Sequence, residues 1–471
     1  MENLRVEQIY TNCLYQGTYY IVSNGEAIII DPLRDPQPYL DKLKKDNVKL
    51  KYIFETHYHA DFVSGHFDLS ELTKAAIIFG PNANFEHECI HAIDGQFFEF
   101  GNCKIKAIHT PGHTMESTVY LLLDENKKEH SVFTGDTLFI GDVGRPDLAQ
   151  QVDAITQEDM AGMLFDSLRN KLMTLPPHIM VYPAHGAGSA CGKNMSRETF
   201  STLDHQLKTN YALRSNMSRE EFIIEVLDGL TSPPAYFKDN VLLNKSGYSP
   251  FQQILKHSKK AIDTDTLEQF LKDPSILILD TRPADQFSLK YIPGSLNIGL
   301  NGDFAPWVGS IIGKTNQKLI LVSEIGREEE CLLRLSRVGF DAVIGYLEGG
   351  FESWLIANKK TEHVHRITSI QFEQMSDRKE YQIIDIRKEN EFRTSHIKNA
   401  KNLPLANIQD WSDSLNEKDN YIIHCAVGYR SMIAASILKA KGIHNFLEIE
   451  GGFNSIRKTS IETVNELSIA S

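Results

Sequence analysis

Along the first 240 or so residues, short apolar runs alternate with turn residues and charged stretches. Tyr19–Asn24 reads YYIVSN, Glu26–Pro32 EAIIIDP, Lys51–His57 KYIFETH, Ala75–Gly80 AAIIFG, Cys103–Thr110 CKIKAIHT, Thr118–Asp124 TVYLLLD and Ser131–Asp136 SVFTGD. Runs of this length, bounded by turn formers, predict strands, and the charged stretches between them predict helices. Two sheets with flanking helices satisfy that rhythm. Between Asn240 and Lys260 the rhythm stops and the text becomes basic and polar, NVLLNKSGYSPFQQILKHSKK, which reads as a linker over 241–262.

Beyond that point the chain repeats itself. Asp280 opens DTRPADQFSLKYIPGSLN and Asp385 opens DIRKENEFRTSHIKNAKN; Leu347 opens LEGGFESW and Ile449 opens IEGGFNSI. Two such copies are two small domains, each alternating strand and helix as a parallel α/β sheet does. The polar run NKKTEHVHR at 358–366 separates them. The expected organisation is therefore a domain at 1–240, a linker at 241–262, and two repeats at 263–360 and 361–471.

Length agrees, since 471 residues make about three domains of ~150 residues. Hydrophobic residues at 41% and charged residues at 24% describe a globular protein with a sizeable core. Lys and Arg total 49 against 62 Asp and Glu, a net charge of −13. That balance speaks against binding nucleic acid or an anionic membrane surface. No run approaches the ~18 apolar residues of a spanning helix, and MENLRVEQIYTNCLY has neither a basic nor an apolar leader segment. A cytoplasmic location is expected. The six cysteines, at 13, 89, 103, 191, 331 and 425, are too sparse for a disulfide framework. Each is expected to be a small core thiol unless a motif says otherwise.

Candidate chemistry collects at strand ends. KYIFE runs into THYHAD, which places His57, His59 and Asp61 just past a strand. CKIKAIHT leads to PGHT and His113, SVFT to GD and Asp136, and IMVYPA to HG and His185. Carboxyl ends of strands are where α/β sites form. Four of them, each delivering His or Asp beside Gly or Pro, point to a shared metal centre.

THxHAD, TPGHT, TGD and PAHG in this order make the first 240 residues resemble the metallo-β-lactamase superfamily, most closely its glyoxalase II and persulfide dioxygenase branch. The resemblance implies an αββα sandwich with metal at one edge of the two sheets. The family's motif usually ends THxHADH, and that last histidine binds a second metal. Here the position is Phe62, which cannot coordinate. Asp61 and His185, with Asp136 as a bridge, are what remains, and His66 is a candidate substitute. A two-metal hydrolase is therefore disfavoured. In the persulfide dioxygenases that the chain resembles, the ligands fall at His57, His113 and Asp136. Two imidazoles and a carboxylate with open positions suit one non-haem Fe(II) per chain, whereas zinc has no redox chemistry. His59, Asp61 and His185 are then expected beside the ligands, either orienting them or as hydrogen-bonded structural groups. TLFIGDVGRPDL resembles the family's GDxLFxGxxGRxD pattern; its Arg145 either meets a substrate carboxylate or persulfide anion or pairs with Asp147 to brace the loop. Cys191, in HGAGSACGK, is either a thiol beside the metal pocket or a core residue.

In the last domain the run YIIH ends at Cys425, followed by AVGYRS and the helical MIAASILKAKG. Backbone NH groups and the positive end of a helix around such a loop stabilise a thiolate, and equally an anionic persulfide. With DIR and EGGF in register, this CxxGxRS loop resembles rhodanese sulfurtransferases over about 100 residues. The resemblance implies Cys425 as nucleophile and Arg430 as the group that closes the cradle on the thiolate or an anionic acceptor, with Gly428 and Ser431 as substrate-binding loop positions. The loop from Cys425 to Arg430 is one residue shorter than in the related phosphatase loops, a ring suited to a single sulfane sulfur. Registering Gly326 on Gly428 puts Ser323 at the cysteine position and Glu328 at the arginine position. The first copy is thus expected to be inactive, serving domain presentation or an oligomer interface, and a homo-oligomer is expected.

Together these features resemble the bacterial fusions of persulfide dioxygenase and sulfurtransferase that detoxify sulfide. The implied activity oxidises a persulfide of glutathione, coenzyme A or a similar thiol with O2 to sulfite and thiol. Cys425 then carries sulfane sulfur to sulfite, giving thiosulfate. Two alternatives stand beside it: a glyoxalase II-type thioester hydrolase fused to a sulfurtransferase, and a sulfur carrier whose metal domain is inert.

Overall fold

Alternation along the strands decides the architecture of the first half of the chain. In β2 (Gln16–Ser23) and β3 (Glu26–Ile30), Tyr19, Ile21, Ile28 and Ile30 share a buried cluster with Phe98, Phe100, Ile105, Tyr120 and Phe133 of another sheet. Their neighbours Tyr20, Ala27 and Ile29 pack instead with Tyr39, Leu43 and Leu69 of the helices Gln37–Asp46 and His66–Thr73. Successive side chains point to opposite faces of a strand, so an apolar run buried on both faces needs a sheet on one side and helices on the other. The second sheet repeats the solution: Val119, Leu121, Val132 and Val181 face Leu164, Leu168 and Phe222 of the outer helical layer. The result is the αββα sandwich that the family resemblance implied.

The computed structural model describes residues 4–148, 155–230, 232–376 and 378–465. Two compact units emerge, Met1–Gln253 with Ser336–Gly339, and Ile254–Leu335 with Phe340–Ser471. In the first, one sheet runs in sequence order: β1 (Arg5–Thr11), β2, β3, β4 (Lys49–Phe54), β5 (Ala76–Phe79) and β6 (Ile90–His91). The other contains β7 (Phe97–Phe100), β8 (Cys103–His109), β9 (Thr118–Leu123), β10 (Glu129–Gly135), β11 (Met180–Pro183) and β12 (Ser201–Thr202), again in order. Among the described residues no helix is long and apolar enough to cross a membrane.

The second unit holds two parallel five-stranded sheets of matching order. The first is β13 (Ala261–Ile262), β17 (Val343–Leu347), β16 (Lys318–Val322), β14 (Ile276–Asp280) and β15 (Leu296–Asn297). The second is β18 (Arg366–Ile367), β23 (Phe446–Ile449), β22 (Asn420–His424), β19 (Tyr381–Asp385) and β21 (Lys401–Asn402). A small pair, β20 (His396–Ile397) with β24 (Thr463–Val464), stands beside the latter.

The repeated DTR and DIR motifs prove to be braces. Arg282 Nη2 lies 2.6 Å from Asp280 with its guanidinium 3.7 Å from the Phe351 ring centre. Arg387 Nη2 lies 2.6 Å from Asp385 and its guanidinium 3.9 Å from Phe453. The phenylalanines are those of the two GGF motifs, so both halves of the repeat are explained by one packing unit.

Residues 241–262, expected as a linker, carry most of the helix Phe237–Ser246, the helix Phe251–Ser258 and β13, which pairs with β17. The polar text concealed buried asparagine. Asn244 donates to the carbonyls of His59 and Phe62, each at 2.8 Å, and accepts from the Ser64 NH at 2.8 Å. A segment read as a polar linker thus pins the loop that follows β4.

Removing one member of a buried ion pair leaves the other charge uncompensated, at a cost of ~3–5 kcal/mol. Asp385→Ala is therefore expected to destabilise the second unit by about that amount in urea unfolding. A loss below ~1 kcal/mol would show that the brace is dispensable.

Candidate metal centre and cysteine loop

Four strand ends converge in the first unit. The loop after β4 brings His57, that after β8 His113, that after β10 Asp136 and that after β11 His185, all buried. Close approach of these loops depends on glycine. Gly135 has φ +52°, and a Cβ there would stand 2.6 Å from the Thr56 side chain, next to His57. Gly112 has φ +144°, and its Cβ would lie 2.3 Å from the Leu164 backbone. An L side chain would be strained at both positions and would also collide.

Hydrogen bonds set the direction of each ring. His113 Nδ1 donates to the Arg145 carbonyl at 2.7 Å. The Thr56 hydroxyl donates to Asp31 Oδ2 at 2.8 Å, which leaves its oxygen to accept from His57 Nδ1 at 2.9 Å. Both Nε2 lone pairs are thereby freed toward Asp136 Oδ2, at 3.8 Å from His57 and 3.5 Å from His113. Asp136 Oδ1 is occupied by His185 Nδ1 at 2.8 Å, but Oδ2 is buried with no hydrogen-bond partner among the described residues. An ionised carboxylate oxygen left unpaired in the interior is costly, and two imidazole nitrogens aim at the same point. The donor set fits a metal ion, held by His57, His113 and Asp136, whose donor atoms lie within 4.8 Å of one another.

Electrostatics agree. Burial would raise the Asp136 carboxyl, but His185, His57 and His113 outweigh it and hold it well below the usual range. Burial, with His59 nearby, holds His57 well below the ordinary imidazole value, so it is neutral as a ligand must be. Burial would lower His185 as well, yet the carboxylates of Asp136 and Asp61 raise it well above.

Around this set the expected neighbours divide. His185 bridges Asp136 to Asp61, its Nε2 2.9 Å from Asp61 Oδ2. His59 turns away, to 3.1 Å from Asp31 and 3.6 Å from Glu55. Phe62 is fully buried and stacks on the His59 ring at 4.2 Å between centres. His66 faces Glu55 at 3.2 Å and does not join Asp61 and His185. Cys191 does: its sulfur, Asp61 and His185 form a second compact donor set, with burial pushing the thiol well up. Arg145 chelates Asp147 through two 2.6 Å hydrogen bonds, the bracing alternative, and its NH donates to the Cys191 carbonyl. Asp31, Glu55 and Thr56 were not singled out from the sequence. Asp31 had the same signal as Asp136, an acid closing an apolar strand.

In the second unit Cys425 follows β22, fully buried, and its sulfur receives the Gly428 NH at 3.1 Å. The Ser431 hydroxyl lies 3.4 Å from the same sulfur. Gly428 has φ +100° and opens the helix Tyr429–Ala440. The Arg430 guanidinium is committed to Glu391 by bonds of 2.6 and 2.8 Å. In the first copy Ser323 replaces the thiol, and the Glu328 carboxylate accepts from the Gly326 NH at 3.1 Å, filling the mouth of the loop with negative charge.

Comparison with known proteins follows this division. The metallo-beta-lactamase superfamily profile matches residues 12–185, and that of the rhodanese-like domain matches 263–357 and 368–459. The mitochondrial persulfide dioxygenase ETHE1 of Mus musculus is 30% identical over 227 residues, 47% of this chain and 79% of that protein. A hydroxyacylglutathione hydrolase of Dictyostelium discoideum is 31% identical over 34% of this chain, which spans only 58% of that relative. A crystal structure of a metallo-beta-lactamase from Staphylococcus aureus subsp. aureus COL superposes with a TM-score of 0.65 at 28% identity, covering 73% of this chain and 99% of that one.

His113→Ala is expected to leave the purified protein without bound metal, as read by elemental analysis. His185→Ala removes only a partner of Asp136 and is expected to weaken metal binding by ~10–100-fold. Full metal retention in His113→Ala would exclude this donor set.

Proposed function

The chain belongs to the metallo-β-lactamase superfamily and carries two rhodanese-like domains, and we propose that it is a persulfide dioxygenase joined to a thiosulfate-forming sulfurtransferase. The observation that carries the reading is the buried set of two imidazoles and one carboxylate, with Phe62 closing the position at which a second metal would need histidine. Iron(II) held by His57, His113 and Asp136 would supply redox chemistry with O2 that zinc lacks.

The remaining work falls to the chain's own residues. Thr56 and the Arg145 carbonyl fix the two ring tautomers, and His185 holds the second oxygen of Asp136. Burial of all three donors keeps bulk water out. In the overall reaction, low-molecular-weight persulfide, O2 and water yield thiol and sulfite. At Cys425, thiolate attacks the sulfane sulfur of a second persulfide: a sulfur–sulfur bond forms to Cys425 and the bond to the carrier thiol breaks. Sulfite then takes that sulfur as thiosulfate and regenerates the thiolate. The Gly428 NH and the Ser431 hydroxyl meet the sulfur throughout.

One observation favours a second reading. Asp61, His185 and Cys191 could hold a further cation, and thioester hydrolysis of the glyoxalase II type uses two metals. Two metal ions per chain with thioester turnover would support it; one iron with O2 uptake supports ours.

The iron-loaded protein is expected to consume O2 with glutathione or coenzyme A persulfide, and His113→Ala to abolish uptake. Cys425→Ser is expected to keep O2 uptake while sulfite replaces thiosulfate as the product. No uptake by the native protein would sink the proposal.

A further inference from the structure

Beneath the Cys425 loop lies a carboxylate that the sulfur transfer above does not use. Glu448, between Leu447 and Ile449 in β23, is fully buried. Its Oε1 accepts the Ser431 hydroxyl at 2.5 Å, and that hydroxyl oxygen is also 3.4 Å from Cys425 Sγ. Its Oε2 accepts Arg366 Nε at 2.6 Å. Arg366 Nη1 in turn reaches Asp285, on the helix Ala284–Leu289 of the first repeat, at 2.5 Å. One line of contacts, Cys425 to Ser431 to Glu448 to Arg366 to Asp285, therefore passes from the thiol to the neighbouring domain.

The fold itself does not require this line. In the register that places Ser323 at Cys425, the first repeat has Glu329 for Ser431 and Tyr346 for Glu448, and its sheet has the same strand order. A buried acid in an otherwise apolar strand is costly unless paired. Here burial pushes Glu448 up to about 7, against the opposing pull of Arg366 and Ser431. Near neutral pH this carboxylate can take or release a proton.

We propose that Glu448, acting through Ser431, is the internal acceptor for the Cys425 thiol proton, and that Arg366 holds it in place. The inference rests on the reading that Cys425 is the sulfur-carrying nucleophile. The S–H bond of Cys425 breaks as its proton passes to Ser431 Oγ, while the Ser431 proton passes to Glu448. Thiolate, intact hydroxyl and neutral carboxylic acid result, with nothing exchanged with solvent. Ser431 then donates to the thiolate and Glu448 donates to Ser431. The proton returns by the same path once the thiolate is regenerated. Arg366 on β18, with Asp285 behind it, faces Glu448; Arg430, paired with Glu391, faces Cys425.

The test is iodoacetamide alkylation of Cys425 in the full-length protein across pH, followed on the Cys425 peptide by mass spectrometry. The native rate is expected to rise to about pH 7, where Glu448 titrates, level off while the pair shares one proton, and rise again at higher pH. Glu448→Gln keeps the shape but cannot take the proton. Its profile is expected to be a single rise, several-fold faster than native at pH 8. Ser431→Ala removes the hydroxyl that would donate to the thiolate and is expected to slow alkylation at pH 7 several-fold. Arg366→Gln removes the cation and is expected to move the first inflection to higher pH. A single rise in the native protein, or two rises retained in Glu448→Gln, overturns the relay. Should Glu448→Gln fail to fold by circular dichroism, the native and Ser431→Ala profiles decide alone. Absence of sulfur transfer by the native protein would count against the sulfur-carrier reading only, because the titration does not depend on it.

Discussion

The buried Asp136 carboxylate is the constraint on which the first unit depends. Placed at the end of β10 with essentially no access to water, it must be compensated, and one oxygen is met by His185 while the other meets only the open nitrogens of His57 and His113. Every loop at this edge of the sandwich is shaped around that requirement. Thr56 and Asp31 turn one ring, the Arg145 carbonyl turns the other, and Gly135 allows the strands to close to the needed distance. A site held this way is preorganised: the orientation of its donors is decided by folding and not by the arrival of the metal.

The second unit follows the opposite logic, one scaffold used twice with different loops. The Asp280–Arg282 and Asp385–Arg387 braces, each under the phenylalanine of a GGF motif, are nearly superimposable in their distances. They belong to the fold. What distinguishes the copies is confined to a few positions around one loop, where Ser323, Glu328 and Tyr346 stand for Cys425, Arg430 and Glu448. The first copy nonetheless touches the second closely: the Tyr429 hydroxyl donates to the Gly299 carbonyl at 2.7 Å and Ser436 accepts from the Asn297 NH at 3.1 Å. The first copy thus buttresses the helix that follows Cys425 in its neighbour.

How much was legible varied with the kind of signal. His57, His113, Asp136 and Cys425 could be singled out because each lies in the loop that follows an apolar run, where chain direction alone delivers side chains to one edge of a sheet. Arg145 was readable as a residue but not as a role; the structure shows it chelating Asp147. Asn244 was hidden inside text that composition assigns to solvent, because a buried amide and an exposed one have the same letter. Cys191 was ambiguous for the same reason: a thiol among small residues packs equally well against a core or beside Asp61 and His185.

By itself the sequence determined the strand rhythm, the repeat and the residue types at the strand ends, since periodicity and turn chemistry are local properties written along the chain. Only the tertiary structure decided which of those residues meet. That His59 faces Asp31, that His185 joins Asp136 to Asp61, and that Arg366 meets Glu448 are relations between segments well separated in sequence. Their distances are set by how sheets and helices pack, which no local pattern encodes.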